Sequence, residues 1–121
     1  QQIDISDNRF TGSIPPSLSL LPQLAQFNVS RNSLTGSVPD PPPKLKSFDI
    51  SHNMMTGTLP SKLGKLKMDF VDVSYNQLCG SIPAGLNRFG PSRFGHNKCL
   101  CGPPLPACKA TSYRGGATIV F

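Results

Sequence analysis

FDISHNMMTGTLP, residues 48–60, is the stretch that decides the fold, because it recurs as IDISDNRFTGSIP at 3–15, FNVSRNSLTGSVP at 27–39 and VDVSYNQLCGSIP at 71–83. Within it Phe48 and Ile50 are two residues apart, so both point to one side of a short strand while Asp49 faces the other way. Ile3/Ile5, Phe27/Val29 and Val71/Val73 repeat that pair, and Leu24, Leu45 and Met68 add an apolar residue three positions ahead of it in the last three copies. Asn53 follows at the bend, as do Asn8, Asn32 and Asn76. A buried amide there can donate to and accept from backbone groups that the turn leaves unpaired, so the four Asn are expected to form an internal ladder. Gly12, Gly36, Gly57 and Gly80 mark a tight backbone turn. Ile14, Val38, Leu59 and Ile82 then return to the core.

Each copy thus reads as one coil of a stack. The Asn residues are spaced by 24, 21 and 23 residues, within the roughly 20–29 of a leucine-rich repeat unit. The pattern LxLxxNxLTGxIP resembles the plant class of these repeats, found in secreted inhibitors, receptor-like proteins and receptor-kinase ectodomains. The predicted fold class is an α/β leucine-rich-repeat solenoid. It has a short parallel sheet on its concave face, turns and short 3-10 or helical segments on its convex face, and a disulfide-stapled C-terminal cap. PSLSLLPQL and SKLGKLKM can each make a helical turn, whereas DPPPKLKS is predicted to be extended. Residues 1–85 are expected to hold the four repeats, truncated at the N-terminus, 86–108 the cap, and 109–121 a flexible tail that runs on past the cap as non-native or read-through sequence would.

The chain has 121 residues, 13 Pro, 11 Gly, no Trp and a formal charge of +6. It contains no compact Lys/Arg run interleaved with aromatics, which argues against a nucleic-acid partner. No run of about 18 apolar residues spans a membrane, although ATIVF at 117–121 would open one in a receptor. The polar start QQIDISDN is no secretory signal, so a secreted product would already be processed or truncated.

HNKCLCGPPLPAC, residues 96–108, holds three of the four cysteines. His96, Cys99, Cys101 and Cys108 lack the ligand spacing of structural zinc sites, and no Cys-x-x-Cys redox pair is present. No metal or cofactor is expected. Two disulfides sealing the end of the stack remain. Three pairings exist; a bond between Cys99 and Cys101 is disfavoured by their proximity, and of the other two, one gives non-crossing loops.

SYNQLCGSIPAGLNRF followed by HNKCLCGPPLPAC is similar to the carboxyl end of plant polygalacturonase-inhibiting proteins. That resemblance implies the pairs Cys79–Cys99 and Cys101–Cys108. It also implies a secreted, non-enzymatic defence protein of the plant cell wall, or apoplast, that binds and inhibits fungal or insect endopolygalacturonases through its concave face. Such proteins carry about ten repeats under an amino-terminal cap, whereas this chain opens inside a strand with an exposed edge. Two other readings are a receptor ectodomain and an ice-binding repeat protein, the latter through Thr11/Thr35/Thr56 and Ser6/Ser30/Ser51/Ser74 columns.

Stacking sets the outward residues in columns about 4.8 Å apart. The central column is Asp4, Asn28, Asp49, Asp72, beside Gln2, Gln26, Ser47, Phe70 and the Ser column. Gln1, Ala25, Lys46, Asp69 and Asp7, Arg31, His52, Tyr75 flank them. Five of the six Asp lie on this face and ten of the twelve Lys/Arg lie off it, so the face would complement a basic cleft rim. The candidate partner contacts are Asp4, Asp7, Gln26, Arg31, Lys46, Asp49, His52, Asp69, Phe70, Asp72 and Tyr75, with Phe70 and Tyr75 as aromatic anchors. Lys62, Lys65 and Lys67 on the sides would face wall pectin. Asn28-Val29-Ser30 is a glycosylation sequon on the concave strand. Asp49, Ser51 and His52 are near neighbours, but Asp49 and Ser51 are expected to face outward with no pocket, so no catalytic triad is read there.

Overall fold

The structure is a computed structural model in which residues 1–108 are described; the tail 109–121, with its readings as appended sequence or the start of a span, lies outside the described residues. Four three-residue strands, β1 (Gln2–Asp4), β2 (Gln26–Asn28), β3 (Ser47–Asp49) and β5 (Phe70–Asp72), form one parallel sheet in the order β1-β2-β3-β5. Their register places Ile3, Phe27, Phe48 and Val71 in one row and Asp4, Asn28, Asp49 and Asp72 in the next. The expected solenoid is the fold observed, with 3-10 helices Pro16–Leu20 and Ser61–Lys65 on the convex side; DPPPKLKS, expected to be extended, instead turns at Pro43-Lys44, where Leu45 N donates to Pro42 O at 3.3 Å.

The inward residues build a continuous core along the stack. Phe48, Ile50, Met55, Leu63, Val71, Val73 and Leu78 are wholly buried, and Phe27 stacks on Phe48 with ring centroids 5.9 Å apart. Leu24, Leu45 and Met68 are buried where the chain enters each strand. In the first coil Ile3 and Ile5 are only half-buried. An open cleft lies there, lined by Ile3, Ile5, Ile14, Leu18, Phe27 and Leu34.

A second parallel sheet, which the repeat pattern did not predict, consists of β4 (Thr56–Gly57), β6 (Gln77–Ser81) and β7 (Cys99–Cys101). It forms where the chain leaves each bend: Thr56 and Gly57 lie opposite Gln77 and Leu78, and Cys79 and Gly80 opposite Cys99 and Leu100, with Gly57 and Gly80 at φ +82 and +88. On the convex side the turns after coils three and four touch at glycine. A Cβ on Gly64 would strike the Ala84 carbonyl, and one on Gly85 would strike the Gly64 carbonyl.

The cap is itself built on the repeat. Val73 N donates to Arg93 O at 2.9 Å and Tyr75 N to Gly95 O at 3.0 Å, as Ile50 N donates to Asp72 O and His52 N to Ser74 O one coil earlier. Arg93, Phe94, His96 and Asn97 therefore occupy a fifth coil, and Phe94 fills the inward position taken by Val73 in the coil before. The four cysteines form Cys79–Cys99, between adjacent strands β6 and β7, and Cys101–Cys108. Arg88 ties this end down, its guanidinium donating to Met68 O at 2.6 Å and to Gly85 O while lying over the Phe89 ring.

Candidate functional site

The bends after the strands are held by an amide system. Asn53 Nδ2 donates to Ile50 O and Ser51 O of its own coil and to Val29 O of the coil before, at 3.0–3.2 Å, while its Oδ1 accepts from Leu34 N at 3.0 Å. Asn32 and Asn76 do the same one coil away. Asn97, which the sequence reading passed over, is a further rung: Nδ2 donates to Val73 O and Phe94 O, and Oδ1 accepts from Leu78 N. Asn53→Ala is expected to cost about 1–3 kcal/mol, because it leaves several buried backbone groups unpaired across two coils. Urea unfolding of this variant, with an unchanged m-value, measures it; a loss of a few tenths would show that water replaces the amide.

The ladder fixes the shape of the face. Immediately before each rung the chain passes through a left-handed residue: Asp7, Arg31, His52, Tyr75 and His96 all have φ of 56–58. Their side chains therefore project in one column along the edge of the solenoid. In it Arg31 Nε lies 3.7 Å from Asp7 Oδ1, and the rings of His52, Tyr75 and His96 stack at centroid separations of 4.3 and 4.2 Å.

The central column differs from its reading in one respect. Asp49 Oδ1 accepts from Ser51 N at 3.0 Å and from Ser51 Oγ at 2.7 Å, and Asp4, Asn28 and Asp72 hold Ser6, Ser30 and Ser74 likewise. The Ser side chains do not form an outward column: Ser30, Ser51 and Ser74 are buried. Strand alternation fails there because each strand ends at the Asp or Asn, and the next turn folds the hydroxyl back onto the carboxylate. One oxygen of each carboxylate is thus committed to the turn. The Ser6 hydroxyl and then the Ser6 N–H hold the Asp4 carboxyl below its ordinary pKa by hydrogen bonding to the charged form. Ser51 donates to Asp49 and the His52 ring lies on Tyr75, so the three do not assemble into a triad.

Arg93 joins the face without having been singled out in the sequence. Its guanidinium sits 3.4 Å from Asp72 Oδ2 and 4.5 Å above the centre of the Phe70 ring. It thereby neutralises Asp72 and covers one face of the proposed anchor Phe70. Asp4, Asp49 and Asp69 are left as the acidic groups of the face without an ion pair among the described residues. Gln26, Lys46 and Asp69 are exposed at the rim, Ala25 N donating to Gln1 O, Lys46 N to Ala25 O and Asp69 N to Lys46 O. Lys46 also lines, with Pro43, Lys44, Leu45, Lys65, Leu66 and Lys67, a shallow basic groove, beside which Lys62 pairs with Asp40 at 3.6 Å.

The Leucine Rich Repeat family profile matches residues 1–21 and 44–66. A chain in the crystal structure of the BIR3–SERK2 complex from Arabidopsis thaliana is 31% identical over 83% of this chain and 69% of its own length, with a TM-score of 0.57. This chain belongs to the leucine-rich repeat family. The BIR2 ectodomain from the same plant aligns at a TM-score of 0.82 and 32% identity, covering 88% of this repeat chain and 59% of the ectodomain. A plant ice-binding protein aligns at 0.68 and 32%, over 92% and 45%. The repeat chain thus spans about half the length of these two neighbours. No curated protein matches its sequence. Together with two disulfides, which belong to oxidising compartments, these neighbours place the protein among extracellular plant-type repeat domains. Among the described residues no helix is long and apolar enough to cross a membrane.

Proposed function

We propose that this repeat protein is a secreted binding module of the plant cell wall that docks a protein on its sheet face and adjoining edge, and that the protein is a pathogen endopolygalacturonase, which it inhibits. The observation that carries the reading is the similarity of the last repeat and cap, SYNQLCGSIPAGLNRF and HNKCLCGPPLPAC, to the end of polygalacturonase-inhibiting proteins. The charge layout supports it: Asp4, Asp49 and Asp69 face outward on the sheet side, where they complement the basic cleft rim that an enzyme gripping polyanionic pectate requires. The groove of Lys44, Lys65 and Lys67, which Lys46 shares at the rim of the sheet face, offers pectin a resting place beside the docked protein. A glycan on Asn28, whose Oδ1 is held by Ser30, would cover the second coil and leave coils three to five for the partner.

The test is release of reducing sugar from polygalacturonic acid by a panel of fungal and insect endopolygalacturonases, with and without the oxidised protein. Inhibition of at least one enzyme is the expected result. If no member is inhibited or bound, the partner is not an endopolygalacturonase.

A second reading, ice binding, is favoured by the alignment with the plant ice-binding protein and by the exposed Thr11, Thr35 and Thr56 on successive coils. Burial of Ser30, Ser51 and Ser74 removes the second half of its polar lattice. Absence of ice-recrystallisation inhibition would dispose of it.

A further inference from the structure

Five large apolar side chains are exposed among the described residues: Phe10, Leu20, Leu21, Met54 and Tyr75. The first three belong to the first coil, where Leu21 lines the open cleft. Met54 and Tyr75 are different. They lie on consecutive coils of the same edge, Tyr75 in the left-handed column and Met54 in the column Arg9, Ser33, Met54, Gln77, Lys98, which follows the Asn ladder. Scattered apolar residues on a surface require no explanation. Here, however, Tyr75 is a bulky residue at φ +58, an unfavourable conformation for it, and it stays 46% exposed. The edge of the Tyr75 ring thus stays open to a partner in spite of that backbone conformation.

The ring is also sandwiched between two others. His52 and His96 lie on its two faces at 4.3 and 4.2 Å, both within 11° of parallel. A partner meeting this edge orders little that is not already ordered, which lowers the entropic cost of association. Tyr and Met are the residue types enriched at interface centres, and Tyr among those with the largest single contributions. The charges of the two edge columns are Arg9, Arg31 and Lys98 against Asp7 alone, and Asp7 is paired to Arg31. The nearby Asp72 is neutralised by Arg93.

We propose that the principal docking surface is this solenoid edge, built from His52, Met54, Tyr75 and His96, and that it takes an exposed apolar side chain flanked by carboxylates on the partner protein. The acidic sheet residues then orient the partner, and the edge holds it. The inference rests on the reading of the partner as an endopolygalacturonase. It assigns to the cap coil, through His96 and Lys98, a direct part in recognition.

The test uses the whole chain and an endopolygalacturonase from the panel, with affinity measured by calorimetry. Tyr75→Asn and His96→Asn keep a residue suited to positive φ, and Met54→Ser installs what the second coil carries at Ser33. Urea midpoints control for folding. Tyr75→Asn is expected to weaken binding about tenfold or more, Met54→Ser and His96→Asn about threefold or more, and Asp49→Asn less than any of them. Lys98→Glu is expected to slow association at low salt. Retention of affinity within about twofold in Tyr75→Asn and Met54→Ser, with a large loss in Asp49→Asn, overturns the edge and puts the contact on the sheet. Faster association of Lys98→Glu overturns the carboxylate-bearing partner. Failure of the wild-type chain to bind any panel enzyme overturns the partner reading itself, and this inference with it.

Discussion

Phe94→Ala is expected to lower the free energy of unfolding by about 3–5 kcal/mol, the range for removing an aromatic ring from a packed core. Phe94 is fully buried although it stands in the last described coil, where a plain repeat would expose its inward face. It can be buried there because the chain from Gly95 to Cys108 folds over the end and is fastened by both disulfides. The ring therefore seals a core that runs through Val73, Ile50 and Val29. Ile3→Ala at the opposite end removes a side chain that is only half-buried and should cost about 1 kcal/mol, most of its transfer term being already absent. Urea denaturation of the two variants gives the comparison directly. Equal losses would mean that the cap lies over the core without sealing it.

The second large effect concerns the staples. Cys79–Cys99 closes a chain segment with a sequence separation of 20, and Cys101–Cys108 one of 7. Loop-closure entropy assigns about 3 kcal/mol to the first and about 2 kcal/mol to the second. The first also locks β6 to β7, and with them the fourth coil to the fifth. Replacing Cys79 and Cys99 together by Ser is thus expected to lower the urea midpoint more than replacing Cys101 and Cys108. The reverse order would show that the cap is held chiefly through its last residues. Midpoints unchanged in both would show that the coil contacts alone suffice.

The coils were legible because their causes are local. The apolar pair, the Asn, the Gly and the returning Ile or Val recur in each copy, so Phe48, Ile50, Asn53, Gly57 and Leu59 can be placed from thirteen consecutive residues. The fifth coil was harder to see. Arg93 stands where the template has Asp72, and Gly95 where it has Ser74, so only the His-Asn pair at 96–97 repeats the bend of Tyr75-Asn76. Its spacing of 21 residues from that bend equals the step from Asn32 to Asn53, a signal present in the sequence that the cysteines overshadowed. The Ser column was misplaced for another reason. Alternation holds within a strand, and these strands are three residues long, so a residue two past the Asp already belongs to the turn.

What the sequence determined by itself is the path of each coil: which residues turn inward, where the chain bends and how many residues make one step, since all of these follow from side-chain type and backbone preference over a few neighbours. What only the tertiary structure decided is what meets across coils. The His52–Tyr75–His96 stack, the Arg93 guanidinium between Asp72 and Phe70, and the Gly64–Gly85 approach each join residues 21 or 23 positions apart. Their geometry depends on the rise and stagger of one coil against the next. That stagger is set by core packing and ladder hydrogen bonds acting together, and no single coil contains it.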